Sequence, residues 1–280
     1  MSLPTLASIA SAFADYLVVA IHSILYERDI YPQTSFLLAK KYGFAVRQNR
    51  HPRVCQWITD AVNAVEKEII KGGSHGFGGT VARVVLVIFS PSSQPLERFV
   101  FDVSRFPDIP ADDIEIPLER ATKIPSDDEL NAEAVAEAVT EADHDVVQST
   151  YLINLEEQLR ATMAKLITCS SSLSPLPPNC TYTLVLETKQ DAQPPIDHPQ
   201  LWMPVEPGLQ AEKSPDGNNE DSENNGGRID STGKGPVSNV SDLKTVPIRA
   251  VKAGEVTFEV WVEEGRNKRD AVQEPRPDEN

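Results

Sequence analysis

Apolar residues recur at three- and four-residue steps in three stretches of the chain, a spacing that predicts three amphipathic helices. The first spans residues 4–28 and starts at Pro4, a residue type favoured in a first helical turn. The second starts at Pro52 and ends before the glycine pair at 72–73, because glycine terminates helices. The third follows leucines at three- and four-residue steps from 152 to 166, and we expect it to be the central helix.

Short runs of β-branched residues and alternating apolar positions predict strands. Residues 81–89 are typical of a strand buried on both faces, and a turn joins them to alternating residues around 99–103, which predicts a hairpin. A third strand starts near Cys180, and residues 246–251 and 256–262 form a second hairpin of two edge strands. Helices and strands are segregated along the chain, so the predicted fold class is α+β with an antiparallel sheet.

Charge is distributed unevenly. The chain has 26 Lys and Arg against 42 Asp and Glu, a net charge of −16. A charge of this sign repels phosphate backbones and anionic membranes, so we expect no membrane partner and weak or absent nucleic-acid binding. Residues 107–147 hold thirteen acidic residues against two basic ones, whereas residues 30–59 contain no acidic residue. Two interpretations of that basic patch stay open, a nucleic-acid contact and a solvated surface.

Three segments have a composition that disfavours stable packing. The acidic insertion 107–147 is expected to be disordered or loosely helical, and its role is either none or the tuning of partner choice. Residues 206–240 are rich in Gly, Asn, Asp and Ser and predict a flexible linker. Residues 266–280 are polar and contain prolines, which predicts a disordered tail.

The chain shows no recognisable catalytic motif. The glycine-rich stretch 72–79 lacks a following Gly-Lys-Ser/Thr, so a connector is favoured over a phosphate loop. Five scattered histidines and three cysteines without a CxxC pair predict no metal site, a reducing compartment and buried thiols. We expect no catalytic residue, no cofactor, no signal peptide and no membrane span.

The tryptophans indicate a different kind of function. Trp57 lies beside an apolar stripe, Trp202 in a proline-rich segment, and Trp261 on the polar side of the last strand. Exposed aromatics are unfavourable unless a partner covers them, which favours a protein-binding module over an enzyme. Three alternatives remain open: Trp57 belongs to the core, Trp202 fills a groove of the same chain, or an unrecognised nucleotide-binding enzyme uses residues 72–79.

Several local strings together identify a family. The strings are SILYERDIYP at 23–32, KKY at 40–42, HP at 51–52, QWI at 56–58, ERFVF at 97–101, PPNCTYT at 177–183 and WVEE at 261–264. From about residue 8 to 265 the chain resembles the HORMA family, and within it the non-catalytic accessory subunits of the translesion DNA polymerase zeta. The acidic insertion and the linker are not part of the pattern.

The resemblance implies a single HORMA domain over residues 1–265, with three helices on an antiparallel sheet and a safety belt at 190–265. In this family the belt closes over an extended peptide of a partner. The implied protein is a nuclear adaptor without enzymatic activity. It would clamp a proline-containing peptide of the DNA polymerase zeta catalytic subunit and dock the deoxycytidyl-transferase scaffold of translesion synthesis. A spindle-checkpoint or DNA-end-protection role, with another clamped peptide, is the alternative.

The resemblance also assigns roles to individual residues. Positions that match those contacting the clamped peptide are Tyr31, Trp57, Tyr182 and Trp202. Positions that match the scaffold-docking surface are Thr245, Glu259 and Trp261, and Arg160 matches an arginine of the HORMA homo- or heterodimer interface. Three residues depart from the family pattern: Pro204 two positions after the belt tryptophan, Thr245 for an aliphatic residue, and Glu259 for an amide.

Overall fold

The elements of the fold follow the predicted order, with one hairpin in addition. A computed structural model describes residues 5–71, 80–106, 141–189, 244–253, 256–265 and 268. The helices are α1 (Leu6–Glu27), α2 (Pro52–Lys71) and α3 (Glu141–Cys169). The strands are β1 (Phe36–Lys41), β2 (Phe44–Asn49), β3 (Val81–Phe89), β4 (Pro95–Asp102), β5 (Thr181–Thr188), β6 (Lys244–Ala253) and β7 (Val256–Glu264).

Several predicted features fall outside the described residues. They are the glycine-rich stretch 72–79, most of the acidic insertion, the linker 206–240, Trp202 and Pro204. Residues 141–147 of the predicted insertion belong to α3. Residues 266–280 were predicted to form a disordered tail, but the side chain of Lys268 is fully buried.

Five strands form one antiparallel sheet in the order β5-β3-β4-β7-β6. Both predicted hairpins are present, β3 with β4 and β6 with β7. The predicted α+β class, with three helices and an antiparallel sheet, is confirmed. The prediction that both C-terminal strands are edge strands is wrong for β7, because β7 pairs with β4 on one side and with β6 on the other.

Side-chain alternation gives the sheet two different faces. On β3, Val84, Leu86 and Ile88 join the main core with the helices, whereas Val85 and Val87 point to the other face. On that outer face they form a small apolar cluster with Val100 of β4. All five of these β3 residues are buried, as predicted for a strand covered on both sides.

The central helix is α1, and the prediction that the third helix is central is wrong. The α1 helix contacts α2, α3 and β2, and Tyr16 stacks edge-on against Phe101 of β4. Because α1 is covered on several sides, an 18-residue stretch within its residues 7–27 reaches a mean hydropathy of 1.6, high enough for a membrane-crossing helix. Within the part of the chain that the structure describes, α1 is the one helix that passes this test.

The additional element is the β1–β2 hairpin, which lies in the predicted basic patch. Tyr42 and Gly43 form its two-residue turn with positive φ angles of 53° and 64°, the pairing typical of a type I′ turn. Phe36 and Val46 anchor the hairpin in the main core beside α1. Sequence patterning missed these strands because their alternation is weak and Leu37 and Leu38, which are adjacent, are both exposed.

Candidate functional site

An open groove of about 760 Å³ lies between four segments of the chain. They are the segment after α1, the link between β2 and α2, the first turns of α2, and the start of β5. The lining side chains are Ile30, Tyr31, Pro32, Ser35, Asn49, His51, Arg53, Val54, Trp57, Cys180, Thr181 and Tyr182. A volume of this size is within the range of ligand-binding clefts in proteins, roughly 300–1,000 Å³.

Three predicted site residues meet in this groove. The Tyr182 ring packs edge-on against Trp57, with 5.1 Å between ring centroids, and edge-on against Tyr31 at 6.1 Å. The hydroxyl oxygens of Tyr31 and Tyr182 lie 3.3 Å apart and share a hydrogen bond. All three side chains are half-buried. The sequence left open whether Trp57 belongs to the core. Its side chain packs against the core and also lines the groove.

The groove contains uncharged phenol and thiol groups rather than activated nucleophiles. Burial, followed by the hydrogen bond with Tyr31, raises the pKa of Tyr182 well above its usual value. Burial likewise raises the pKa of the Cys180 thiol. A thiol reacts as its thiolate, so a raised pKa makes Cys180 a poor nucleophile. These groups suit the binding of an apolar or aromatic segment better than covalent chemistry.

The buried side chain of Asn49 organises the floor of the groove. Its amide nitrogen donates to Ser35 Oγ at 3.3 Å, and its side-chain oxygen accepts from the His51 backbone N–H at 2.8 Å. The Asn49 backbone N–H donates to Nδ1 of His22 on α1 at 3.3 Å. Burial lowers the pKa of His22 to about 4, so the imidazole is neutral near pH 7 and accepts this bond.

Neither Asn49 nor His22 was identified from the sequence. A histidine among the apolar positions of a helix was the only local signal, and a lone buried histidine fits many roles. Asn49 and His22 hold the segments around the groove in place, and neither acts as a reactive group.

One side of the groove is bounded by the free edge of β5. This strand pairs with β3 and has no strand partner on its other side among the described residues. An unpaired edge presents backbone N–H and C=O groups that an extended segment can join. The groove therefore combines aromatic side chains with an available backbone edge.

The predicted docking residues Thr245, Glu259 and Trp261 lie at the opposite end of the sheet, on β6 and β7. Thr245 is exposed, and Glu259 pairs with Arg105 at 2.8 Å. Trp261 packs on the outer-face cluster of Val85, Val87 and Val100. The sequence placed Trp261 on a polar face, but that face has an apolar centre formed by β3 and β4.

Charged side chains surround Trp261 on this outer face. Its indole N–H donates to Glu263 at 2.9 Å, and the Arg83 guanidinium lies 5.7 Å from the ring centroid. Arg98 pairs with Glu263 and Glu187, and Arg83 pairs with Asp102 and Glu187.

Arg160 lies elsewhere, on the exposed side of α3, where it pairs with Glu157 at 3.2 Å. The structure therefore separates the predicted residues into three surfaces. They are the groove, the outer sheet face and the exposed side of α3.

A second polar feature, the buried ion cluster, consists of Arg28, Glu97, Glu264 and Lys268. Arg28 donates two hydrogen bonds to the Glu97 carboxylate, at 2.9 and 2.7 Å. Lys268 pairs with Glu97 and, at 2.7 Å, with Glu264. Glu264 also accepts from the Ser174 backbone N–H at 2.8 Å. The cluster joins the end of α1 to β4, to the segment after α3 and to the end of β7.

The hydrogen bonds of the cluster keep Glu264 ionised. Burial raises the pKa of its carboxyl, but the bonds from Lys268 and Ser174 outweigh burial and lower the pKa to about 2. At the same corner, Gly265 N–H donates to the Leu96 carbonyl at 2.9 Å. A Cβ at Gly265 would lie 3.2 Å from the Pro95 carbonyl oxygen, so the chain passes close to β4 here.

No group of three or more His, Cys, Asp or Glu side chains in the described ranges could hold a metal ion. The three cysteines were predicted to be buried, but each is only partly buried. Burial raises the pKa of Cys169 to about 11, so this thiol stays protonated at neutral pH.

Comparison with known proteins agrees with the fold and with the resemblance. The HORMA domain model matches residues 11–230. The mitotic spindle assembly checkpoint protein MAD2B of Danio rerio is 30% identical over 184 residues, which cover 66% of this chain and 67% of that protein. The DNA polymerase zeta processivity subunit of Schizosaccharomyces pombe is 26% identical over 255 residues, which cover 91% of this chain and 92% of that protein.

Among solved structures, a chain of the Mitotic Checkpoint Complex crystal structure aligns with a TM-score of 0.56 and 17% identity. The alignment covers 91% of this chain and 98% of that chain, and at this identity it supports the fold alone. The family match covers most of the chain and includes the elements that form the groove. The protein belongs to the HORMA domain family.

Proposed function

We propose that the protein is a non-catalytic adaptor of translesion DNA synthesis. It holds an extended, proline-containing peptide of the DNA polymerase zeta catalytic subunit in the groove. The observation that carries this proposal is the position of Tyr31, Trp57 and Tyr182 beside the outer edge of β5, which has no strand partner among the described residues. An adaptor needs such a surface and no reactive group.

The binding mode follows from the two components of the groove. Backbone pairing with β5 gives affinity that is independent of peptide sequence, whereas the aromatic side chains select for the residues that fill the groove. Half-buried aromatics are frequent hot spots because a partner completes their desolvation. In this proposal the segment 190–265 acts as the safety belt and Trp202 closes over the peptide. Release is slow because the belt must open first.

The choice of partner rests on the relatives. The Schizosaccharomyces pombe relative, which aligns over 91% of this chain, is named as a processivity subunit of DNA polymerase zeta. A relative from Arabidopsis thaliana, 25% identical over 71% of the chain, has the same name. A nuclear location follows from this role, and a fluorescent fusion of the full chain tests it.

The deoxycytidyl-transferase scaffold of translesion synthesis is proposed to dock at the other end of the sheet, on Thr245, Glu259 and Trp261. Support comes from the separation of this surface from the groove, because one molecule can then bind both partners at once. Arg160, on the exposed side of α3, is proposed to contact a second HORMA domain. Sedimentation of wild type and Arg160→Ala tests that contact.

The test of the main proposal is co-purification of the full chain with peptides tiled across the polymerase zeta catalytic subunit. One proline-containing segment is expected to bind and to dissociate slowly. Trp57→Ala is expected to weaken its binding by about 2 kcal/mol or more, the size of a hot-spot effect. Trp261→Ala is the matched control, which leaves peptide binding intact and weakens scaffold docking. Failure of the folded wild-type chain to bind any segment would contradict the proposal.

A second candidate function is a checkpoint adaptor that holds a different peptide in the same groove. It is favoured by the name of the Danio rerio relative, a mitotic spindle assembly checkpoint protein. Peptides from checkpoint proteins, tested in the same assay, separate the two functions. Trp57-dependent binding of a checkpoint peptide, with no polymerase segment bound, would support this second function.

A further inference from the structure

The groove has a positively charged side. Arg53 and His51 line it at the start of α2, and Arg50 precedes them on the link from β2. No Asp or Glu is among the residues that line the groove. This sign is opposite to that of the protein as a whole, whose net charge is −16. A negatively charged ligand group would therefore meet a basic side chain here and no lining carboxylate.

Arg53 and its neighbour Arg50 differ from the other arginines of the described ranges in having no partner there. In the described ranges, five arginines pair with carboxylates, Arg249 donates to the Gln158 side chain, and Arg47 stacks on Tyr26. No carboxylate, ring or amide partner is found in those ranges for Arg50 or Arg53, and both are exposed. Seven of the nine arginines in the described ranges therefore have partners within the chain.

The position of Arg53 also disfavours a purely structural role. It lies in the first turn of α2, which contains no acidic residue. The helix dipole places partial positive charge at this end, so an arginine there slightly destabilises the helix. An acidic residue would suit the helix better. A ligand that brings a negative charge to this side of the groove would offset that unfavourable interaction.

We propose that the groove selects an extended peptide that carries an aspartate or glutamate at one position, and that Arg53, with His51 beside it, reads that carboxylate. This inference rests on the proposed peptide-binding function and adds a charge requirement to it. The apolar part of the peptide lies against Trp57 and Tyr182, and its acidic side chain lies against the α2 end of the groove. Guanidinium and carboxylate form directional, charge-assisted hydrogen bonds, which makes the pair suitable for selection.

A charge-reversal selection tests the proposal. A displayed library of random proline-containing peptides is selected on the full wild-type chain and on the Arg53→Glu variant. Wild type is expected to enrich Asp or Glu at one position relative to the proline, and Arg53→Glu is expected to enrich Lys or Arg at that same position. The variant should fold, because an acidic residue is favourable in a first helical turn.

Affinity measurements on one selected peptide give the size of the effect. Wild type is expected to bind the acidic peptide about fivefold more tightly than its lysine version, the upper range for an exposed ion pair. The Arg53→Glu variant should reverse that preference. The matched control is Lys67→Glu, at an exposed position towards the other end of α2, which changes the net charge equally and should keep the wild-type preference.

The outcomes separate this inference from the proposed function. If Trp57-dependent peptides show no acidic position, or if Arg53→Glu selects the same sequences as wild type, the charge requirement is wrong and the peptide-binding function stands. If no peptide binding depends on Trp57, the proposed function itself fails. If Lys67→Glu shifts the preference as much as Arg53→Glu, the selection reflects net charge and the assignment to Arg53 is wrong.

Discussion

The groove and the buried ion cluster both begin at the end of α1, and they use polar side chains in opposite ways. In the ion cluster, Glu97 is 1% exposed and Lys268 0%, and every charge has an opposite charge beside it. In the groove, Arg53 is exposed and has no partner in the described residues. The same chemical groups are therefore structural in one place and available for binding in the other.

The difference teaches how to assign roles to charged residues in this fold. A buried ion pair in which each charge is matched offers no free charge to a ligand. Loss of one member, however, leaves an uncompensated charge in the interior. An exposed, unpaired charge contributes little to stability, so it can be exchanged without loss of the fold. Variants in the cluster should thus change stability, and variants at the groove should change binding.

The largest expected effect is that of Glu97→Ala on stability. This change leaves Arg28 and Lys268 buried without their shared carboxylate, and we expect a loss of about 3–5 kcal/mol in the free energy of unfolding. Urea denaturation measures it. The control is Glu157→Ala on the exposed side of α3, which should change stability by about 0.5 kcal/mol or less. Equal effects of the two variants would show that the cluster does not stabilise the fold.

The next prediction separates the two regions by pH. His22, which supports the groove, has a pKa of about 4 in the folded protein and 6.5 in the unfolded chain. Between pH 4 and 6.5 the unfolded state therefore binds more protons than the folded state. Stability should fall as the pH decreases from about 6.5 towards 4, by an amount on the order of 3 kcal/mol. His22→Asn, which keeps a hydrogen-bond acceptor near the Nδ1 position, should reduce that dependence.

Glu264, in the ion cluster, should act in a lower pH window. Its pKa is about 2 when folded and 4.5 when unfolded, so its contribution is complete above 4.5 and is lost as the pH decreases towards 2. Glu264→Gln should remove that lower window and leave the upper one. Unfolding curves at a series of pH values test both assignments. If either variant changed the pH dependence of stability in the range assigned to the other residue, the two regions would be coupled.

A smaller effect is expected for Asn49→Ala. The variant loses the hydrogen bonds that hold Ser35 and the His51 backbone, and we expect a loss of about 1–3 kcal/mol in stability. Peptide binding should weaken as well, because Asn49 no longer holds the Ser35 side chain and the His51 backbone at the floor of the groove. Gln48→Ala, at the exposed neighbouring position, is the control and should leave both quantities unchanged. Normal peptide binding by a folded Asn49→Ala protein would contradict the positioning role.

The smallest effect is that of Tyr31→Phe. It removes a single shared hydrogen bond with Tyr182, so stability should fall by about 0.5–1.5 kcal/mol, the usual net value of one such bond. The ring stays in place, and peptide affinity should change less than in Trp57→Ala. Thermal unfolding and peptide titration measure the two effects. An affinity loss as large as that of Trp57→Ala would mean that the hydroxyl itself contacts the peptide.

Local patterns predicted most of the regular elements. The three helices and five of the seven strands follow from periodicity and from glycine and proline positions, since long periodic segments keep their structure in most environments. The β1–β2 hairpin was missed because only the tertiary structure shows that Phe36 and Val46 reach the core beside α1. Periodicity also suggested the wrong central helix, because it reports the apolar face of a helix and not how many elements cover it.

For the site, the resemblance to the HORMA family named Tyr31, Trp57 and Tyr182, and the structure places their rings in contact. No local pattern pointed to the hydrogen bond between Asn49 and His22, because these residues lie 27 positions apart in the chain. The same is true of Arg28 and Glu97, 69 positions apart.

By itself, the sequence determined the α+β class, the family and the aromatic candidates, because these depend on local spacing and on short strings of residues. Only the tertiary structure decided that β7 is an interior strand, that Lys268 is buried, and that Arg53 lies beside the groove with no partner among the described residues. Each of these depends on which distant segments meet. A charge has the same appearance in the sequence whether its partner is an opposite charge in the interior or a ligand at the surface.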